Sequence, residues 1–184
     1  MHLTDGDRPV PRRTASWREI ERSTMREVLM GAQDNLTNVL AVVLGVAIGA
    51  GRADLVALAG LAAGTAEAIS MAGVLYTSTR AERDLAQTPD GSTAGRLEPW
   101  QAGAVTFGAA LVGGLVPLLP FTILSLGPAL IVSLAISIGA LFALGAWTAS
   151  VTGRRWRDEG IRLVLIAGAA ALAAAMIGTL LHVD

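Results

Sequence analysis

Residues 28–50 read VLMGAQDNLTNVLAVVLGVAIGA, a mostly apolar run of 23 residues. A helix of that length is about 35 Å long, enough to cross the roughly 30 Å hydrocarbon core of a bilayer. Polar side chains interrupt its apolar pattern near the start: Gln33, Asp34, Asn35, Thr37 and Asn38. A carboxylate inside a membrane helix costs about 2.5–3.5 kcal/mol on insertion scales, so it indicates a polar partner or a water-filled cavity.

Four further apolar stretches have a similar length. They run approximately over Leu55–Thr77, Trp100–Pro120, Leu124–Ser150 and Leu163–His182. The 184-residue chain is 53% hydrophobic and 16% charged, and its mean hydropathy is +0.56, a composition that would expose too much apolar surface in water. We therefore predict an all-α polytopic membrane protein with five transmembrane helices in a lipid bilayer. The net charge of -1 gives no electrostatic reason to expect nucleic acid binding.

The arginines predict the orientation. All 14 basic residues are arginine, and all except Arg52 lie before the first span or in the second and fourth connections. The positive-inside rule then puts the N-terminus in the cytoplasm and the C-terminus outside. We divide the chain into a cytoplasmic N-terminal segment, 1–24, and a five-helix transmembrane domain, 25–184. The compact chain suggests a prokaryotic inner (plasma) membrane.

Within the N-terminal segment, Ser16–Met25 has the pattern of a short amphipathic helix on the membrane surface. Ser16 and Glu19 have the spacing of a capping box, and Trp17 and Ile20 could share an apolar face. The alternative is a flexible basic lead that only sets the topology.

Small and polar residues recur at helical spacing in the first two spans. The first set is Gly31, Asp34, Asn38, Ala41 and Gly45, and the second is Gly60, Gly64, Glu67 and Met71. Steps of three and four residues place each set on one helix face, and the glycines are typical of close helix packing in lipid. If the two helices are antiparallel, Asp34 lies level with Met71, and Asn38 lies level with Glu67.

These two layers predict a metal pathway with Asp34, Asn38, Glu67 and Met71 as its ligands. Carboxylate oxygens suit Mn²⁺ and Fe²⁺, whereas a thioether suits softer first-row metals. The alternative interpretation is a structural hydrogen-bonded pair between helices, as in a dimeric membrane scaffold that transports nothing.

An enzyme is not expected, so no catalytic residue and no cofactor is predicted. The chain has no cysteine, and its two histidines, His2 and His182, stand at the chain ends. Ser70 has no base in reach other than Glu67.

Four motifs, in this order, are similar to those of the vacuolar iron transporter family. They are GAQDNLT in the first span, AEAISMA in the second span followed by Tyr76 and by the RAERD of Arg80–Asp84, GGLVPLLP in the third span and LFALGAWTASVTGR in the fourth. The resemblance extends over about Arg26 to Leu181.

The resemblance implies a five-helix fold that dimerises, with the ion path at the homodimer interface. It implies export of Fe²⁺, and often Mn²⁺, from the cytosol in exchange for protons. Asp34 matches the metal-pathway aspartate of the family's first helix, and Met71 matches the methionine of its second helix. The divalent metal is then the transported substrate and no resident cofactor is needed.

Three departures from the family pattern stand out. The acidic residue that the family places two turns before the methionine falls at Ala63, so Glu67 is expected to take its role. Asn35 stands where the family usually has glycine after the first-helix aspartate. The connection Arg80–Pro99 is too short for the Glu-rich cytosolic metal-binding domain of eukaryotic members, which predicts a short form that lacks this domain.

Overall fold

The computed structural model describes residues 17–86 and 97–181, and these residues form five long helices and no strand. The helices are α1 Trp17–Ala50, α2 Ala53–Ala86, α3 Pro99–Leu115, α4 Leu126–Thr152 and α5 Trp156–Leu180, with a short 3₁₀ helix at Leu119–Thr122. Four of the five, all except α3, are long and apolar enough to cross a membrane. The all-α polytopic fold predicted from the sequence is confirmed.

Helices α1 and α2 are longer than the sequence pattern indicated. Each has 34 residues, about 51 Å of helix, which exceeds the roughly 30 Å hydrocarbon core. Helix α2 continues past Thr77 to Ala86 because neither glycine nor proline interrupts residues 74–86, and Arg, Ala, Glu and Leu are strong helix formers. Helix α1 begins at Trp17 and is unbroken to Ala50, so Trp17–Met25 form its first turns. The proposed cap at Ser16 lies outside the described residues.

Helix α3 is shorter than predicted. It has 17 residues, about 26 Å of helix, and ends at Leu115 rather than near Pro120. Proline has no backbone N–H, so Pro117 and Pro120 prevent the α-helical hydrogen bonds from continuing. The chain instead makes tighter turns, in which the Leu118 N–H donates to the Leu115 carbonyl at 3.0 Å. The buried Ser133 hydroxyl of α4 donates to the Pro117 carbonyl at 2.7 Å and ties this irregular segment to the bundle.

Two of the interhelical turns depend on glycine. Gly51 follows α1 with φ +63°, and Gly153 follows α4 with φ +72°. Only glycine adopts this left-handed conformation without strain, and it is the common C-terminal cap of a helix. The α1–α2 turn is therefore only two residues long, and α1 and α2 lie antiparallel.

Helix α1 occupies the centre of the bundle and contacts all four other helices. On one side, Val39 and Val43 pack with Val56 of α2 and Leu118. On the other side, Leu36 packs with Leu141 of α4 and with Leu163 and Ala167 of α5. Helix α1 is therefore packed against other helices of the same chain on two sides.

The predicted role of the small residues as packing faces is confirmed. A Cβ atom on Gly45 would lie 3.1 Å from the Ala174 carbonyl oxygen of α5, and one on Gly64 would lie 3.0 Å from a Val39 methyl group. The Leu118 side chain packs directly against Gly60. The spacing of these glycines thus allows helices of the same chain to approach closely.

Candidate functional site

Asp34 points out of the bundle. Its neighbours on α1, Ala32, Asn35 and Leu36, are at most 9% exposed, whereas Asp34 is exposed. Within the described residues, the Asp34 side chain makes no hydrogen bond and no ion pair. The described residues of the chain thus provide no partner for a charged side chain in the apolar part of α1.

The other predicted ligands are less exposed than Asp34. Asn38 of α1 and both Glu67 and Met71 of α2 are half-buried. The buried row of α2 passes beside them and comprises Val56, Gly60, Gly64, Ala68, Leu75 and Thr79. The predicted set on α2 is therefore divided. Gly60 and Gly64 face the bundle, whereas the proposed metal donors Glu67 and Met71 flank that face.

A single chain does not enclose a metal site among these residues. In residues 17–86 and 97–181, no group of three or more His, Cys, Asp or Glu side chains is close enough to hold one ion. Of the four predicted donors, Asp34 is exposed, whereas Asn38, Glu67 and Met71 are half-buried. Their assignment as metal ligands stays a prediction.

Asn35 is the polar residue of the first span that the bundle buries. It is fully buried, and its amide N–H₂ donates at 2.8 Å to the carbonyls of Gly64 in α2 and of Ala110 in α3. The side-chain oxygen of Asn35, Oδ1, has no hydrogen-bond partner in the described part of the chain. Asn35 therefore joins three helices directly beside the exposed Asp34.

We expect Asn35→Asp to lower the free energy of unfolding by about 3 kcal/mol, because a carboxyl group cannot donate to both carbonyls and a carboxylate would repel them. Reversible unfolding in mixed detergent micelles measures the change. Asn38→Asp adds a carboxyl group one turn further along α1 at a half-buried position without a hydrogen bond. We expect this control to lose less than about 1 kcal/mol. Equal losses would show that the amide bonds of Asn35 are not the cause.

The sequence matches a protein-family model over most of its length. The model described as the VIT family matches residues 25–89 and 86–179, which is most of the chain. The chain belongs to the VIT family. The predicted resemblance to vacuolar iron transporters is thereby confirmed, and the chain is an integral membrane protein of a metal-ion transporter family. No protein in the curated collection searched matches it.

Glu27 is a buried acidic residue that the sequence pattern did not single out. Glu27 lies two turns before Asp34 and is 5% exposed, and its Oε2 atom has no hydrogen-bond partner among the described residues. It shares the buried row of α1 with Gly31, Asn35 and Val39, which recur every four residues. That spacing is the sequence signal that could have found it. The VIT family chain thus carries one acidic side chain on the bundle side of α1 and another, Asp34, on the outer side.

Proposed function

We propose that this protein exports Fe²⁺ and Mn²⁺ from the cytosol in exchange for protons, and that it does so as a homodimer. The observation that carries the proposal is the exposed, unpartnered Asp34 in an apolar span of a VIT family chain. A carboxylate that faced lipid would be costly, so this surface requires a polar partner or water.

A second copy of the chain is the simplest partner for this surface. In a two-fold symmetric dimer the same patch lies on both sides of the interface, so each ligand occurs twice. Two copies of Asp34, Asn38, Glu67 and Met71 would provide a set of oxygen and thioether donors that one chain does not enclose.

Exchange with protons follows from the chemistry of the same carboxylates. Carboxylate ligands must be deprotonated before they bind a metal, so proton and metal compete for Asp34 and Glu67. A pathway that binds a metal on the cytosolic side and a proton on the opposite side would couple the two fluxes. The arginine distribution supports a cytosolic location for the N-terminus and for the α2–α3 and α4–α5 connections. A prokaryotic plasma membrane is the proposed location.

Flux into proteoliposomes tests the proposal. Vesicles containing the purified protein are loaded with a metal-sensitive dye, and uptake of Fe²⁺, Mn²⁺ and Zn²⁺ is recorded with and without a pH gradient. We expect Fe²⁺ and Mn²⁺ uptake at least tenfold above that of empty vesicles, and faster uptake when the vesicle interior is acidic. Flux of these metals that is indifferent to the pH gradient would contradict antiport. An intact dimer with no flux of any of the three metals would favour the alternative of a structural scaffold.

A further inference from the structure

A polar cavity of about 190 Å³ lies between α1, α4 and α5, close to the turn that joins α4 to α5. Its polar lining comprises Gln33, Thr148, Glu159 and Arg162. The Thr148 hydroxyl donates to the Leu144 carbonyl at 2.8 Å, so its oxygen can still accept a hydrogen bond. The cavity therefore presents acceptors from Thr148 and Glu159 together with the Gln33 amide, which can donate and accept.

Four arginines lie in the α4–α5 turn and the first two turns of α5, and one of them, Arg162, lines the cavity. Arg154 forms an ion pair with Glu159, with an N–O distance of 2.7 Å. Arg162 lies 3.6 Å from the same carboxylate, beyond hydrogen-bond distance, and is 62% exposed. Arg155 is also exposed, and Arg157 stacks over the Trp156 ring at 5.2 Å. Within the described residues, the guanidinium groups of Arg155 and Arg162 thus keep N–H donors that no protein acceptor uses.

The surroundings place the cavity at the depth of lipid head groups. Trp156 is 50% exposed at the start of α5, and tryptophan concentrates where the hydrocarbon meets the polar zone of a membrane. One to three turns further along α5, Ile161, Leu165 and Ile166 are 49–66% exposed, which is typical of a lipid-facing surface. Ile166 also lines the cavity, so the polar cavity borders directly on the acyl-chain surface.

We propose that this cavity and the arginines of the α4–α5 turn bind the head group of an anionic phospholipid that carries hydroxyl groups, as phosphatidylglycerol does. Its phosphodiester would accept N–H bonds from Arg162 and Arg155, since guanidinium groups bind phosphate with two parallel hydrogen bonds. Its hydroxyl groups would donate to Glu159 and Thr148 and accept from Gln33. Phosphatidylserine carries an ammonium group and a carboxylate in place of the hydroxyl groups. Its ammonium group can pair with Glu159, but its carboxylate is repelled by Glu159 and cannot donate to Thr148, so we expect it to fit the cavity less well.

The experiment measures lipid retention by native mass spectrometry and thermal stability in detergent, with phosphatidylglycerol, phosphatidylserine and phosphatidylcholine added in turn. We expect retention of phosphatidylglycerol at least tenfold above phosphatidylcholine, with phosphatidylserine between them. Arg162→Gln should weaken phosphatidylglycerol retention about fivefold, the usual contribution of one arginine near a membrane surface. Arg155→Gln, at an exposed position, should have a similar effect and replaces Arg162→Gln as the test if that variant folds poorly.

Arg52→Gln is the matched control. Arg52 is exposed, pairs with Asp54 and lies in the α1–α2 turn, at the opposite end of the bundle from the cavity, so its loss should leave retention unchanged. Equal retention of phosphatidylglycerol and phosphatidylcholine would overturn the proposal, as would equal weakening by Arg52→Gln. Phosphatidylserine retained as strongly as phosphatidylglycerol would overturn the role of Glu159. Soluble glycerol phosphate is the remaining probe: if it competes at concentrations comparable to those of the lipid, the site binds a free phosphate ester and not a lipid.

Discussion

Asp34→Asn is expected to reduce Fe²⁺ and Mn²⁺ flux at least 100-fold and to leave the fold intact. Asparagine has nearly the size of aspartate but lacks the negative charge that holds a dication and that exchanges it for a proton. The Asp34 side chain makes no hydrogen bond within the described residues and is exposed, so its stability effect should stay within about 0.5 kcal/mol. Flux into proteoliposomes and thermal unfolding of the same preparation measure the two quantities.

Asp158→Asn removes a carboxylate from an exposed position in the first turn of α5 and serves as the control. Its flux should equal that of the unchanged protein. If Asp34→Asn transports at the unchanged rate while the oligomer persists, the pathway does not pass Asp34, although VIT family membership would still hold. Loss of both the oligomer and the flux would assign Asp34 to the interface between copies rather than to metal binding.

The five helices could be predicted from the sequence because each apolar run is as long as a membrane is thick. The helix ends could not be predicted equally well. The charged residues of Arg80–Asp84 mark where α2 leaves the apolar zone, but they do not end the helix, which continues on strong helix formers. In the third span the hydropathy stays high through Pro117 and Pro120, although proline ends the α-helix at Leu115. Hydropathy thus locates the spans, whereas backbone chemistry sets their ends.

The candidate site shows a different limit of sequence reasoning. Asp34 and Asn35 are adjacent polar residues, and a rotation of about 100° around the helix axis separates their directions. The periodic pattern identified the polar face of α1 but did not show which residue the bundle would bury. That depends on Gly64 and on Gly114, where a Cβ atom would lie 2.8 Å from the Asn35 amide nitrogen. These glycines belong to other helices, so only the folded structure reveals the space that the amide fills.

Gly113→Ala is expected to lower the free energy of unfolding by about 3 kcal/mol. The added methyl group would lie 2.8 Å from the Ala32 Cα atom and 2.9 Å from its carbonyl carbon, and closer still to the carbonyl oxygen. All three are backbone atoms of α1 that cannot rotate away, so α1 and α3 would have to move apart. Overpacking of this kind costs about 1–3 kcal/mol and occasionally more.

Gly108→Ala in the same helix separates packing from helix propensity. A Cβ atom at Gly108 would meet nothing within 4 Å, so alanine should stabilise the protein by about 0.5–1 kcal/mol through its higher helix propensity. Unfolding titrations in mixed micelles should therefore show that glycine-to-alanine substitution lowers the free energy of unfolding at Gly113 and raises it at Gly108. If both variants are stabilised, α1 and α3 are not in close contact at Ala32. The bonds of Asn35 to Gly64 and Ala110 would then lose their structural support as well, because they span the same junction of α1, α2 and α3.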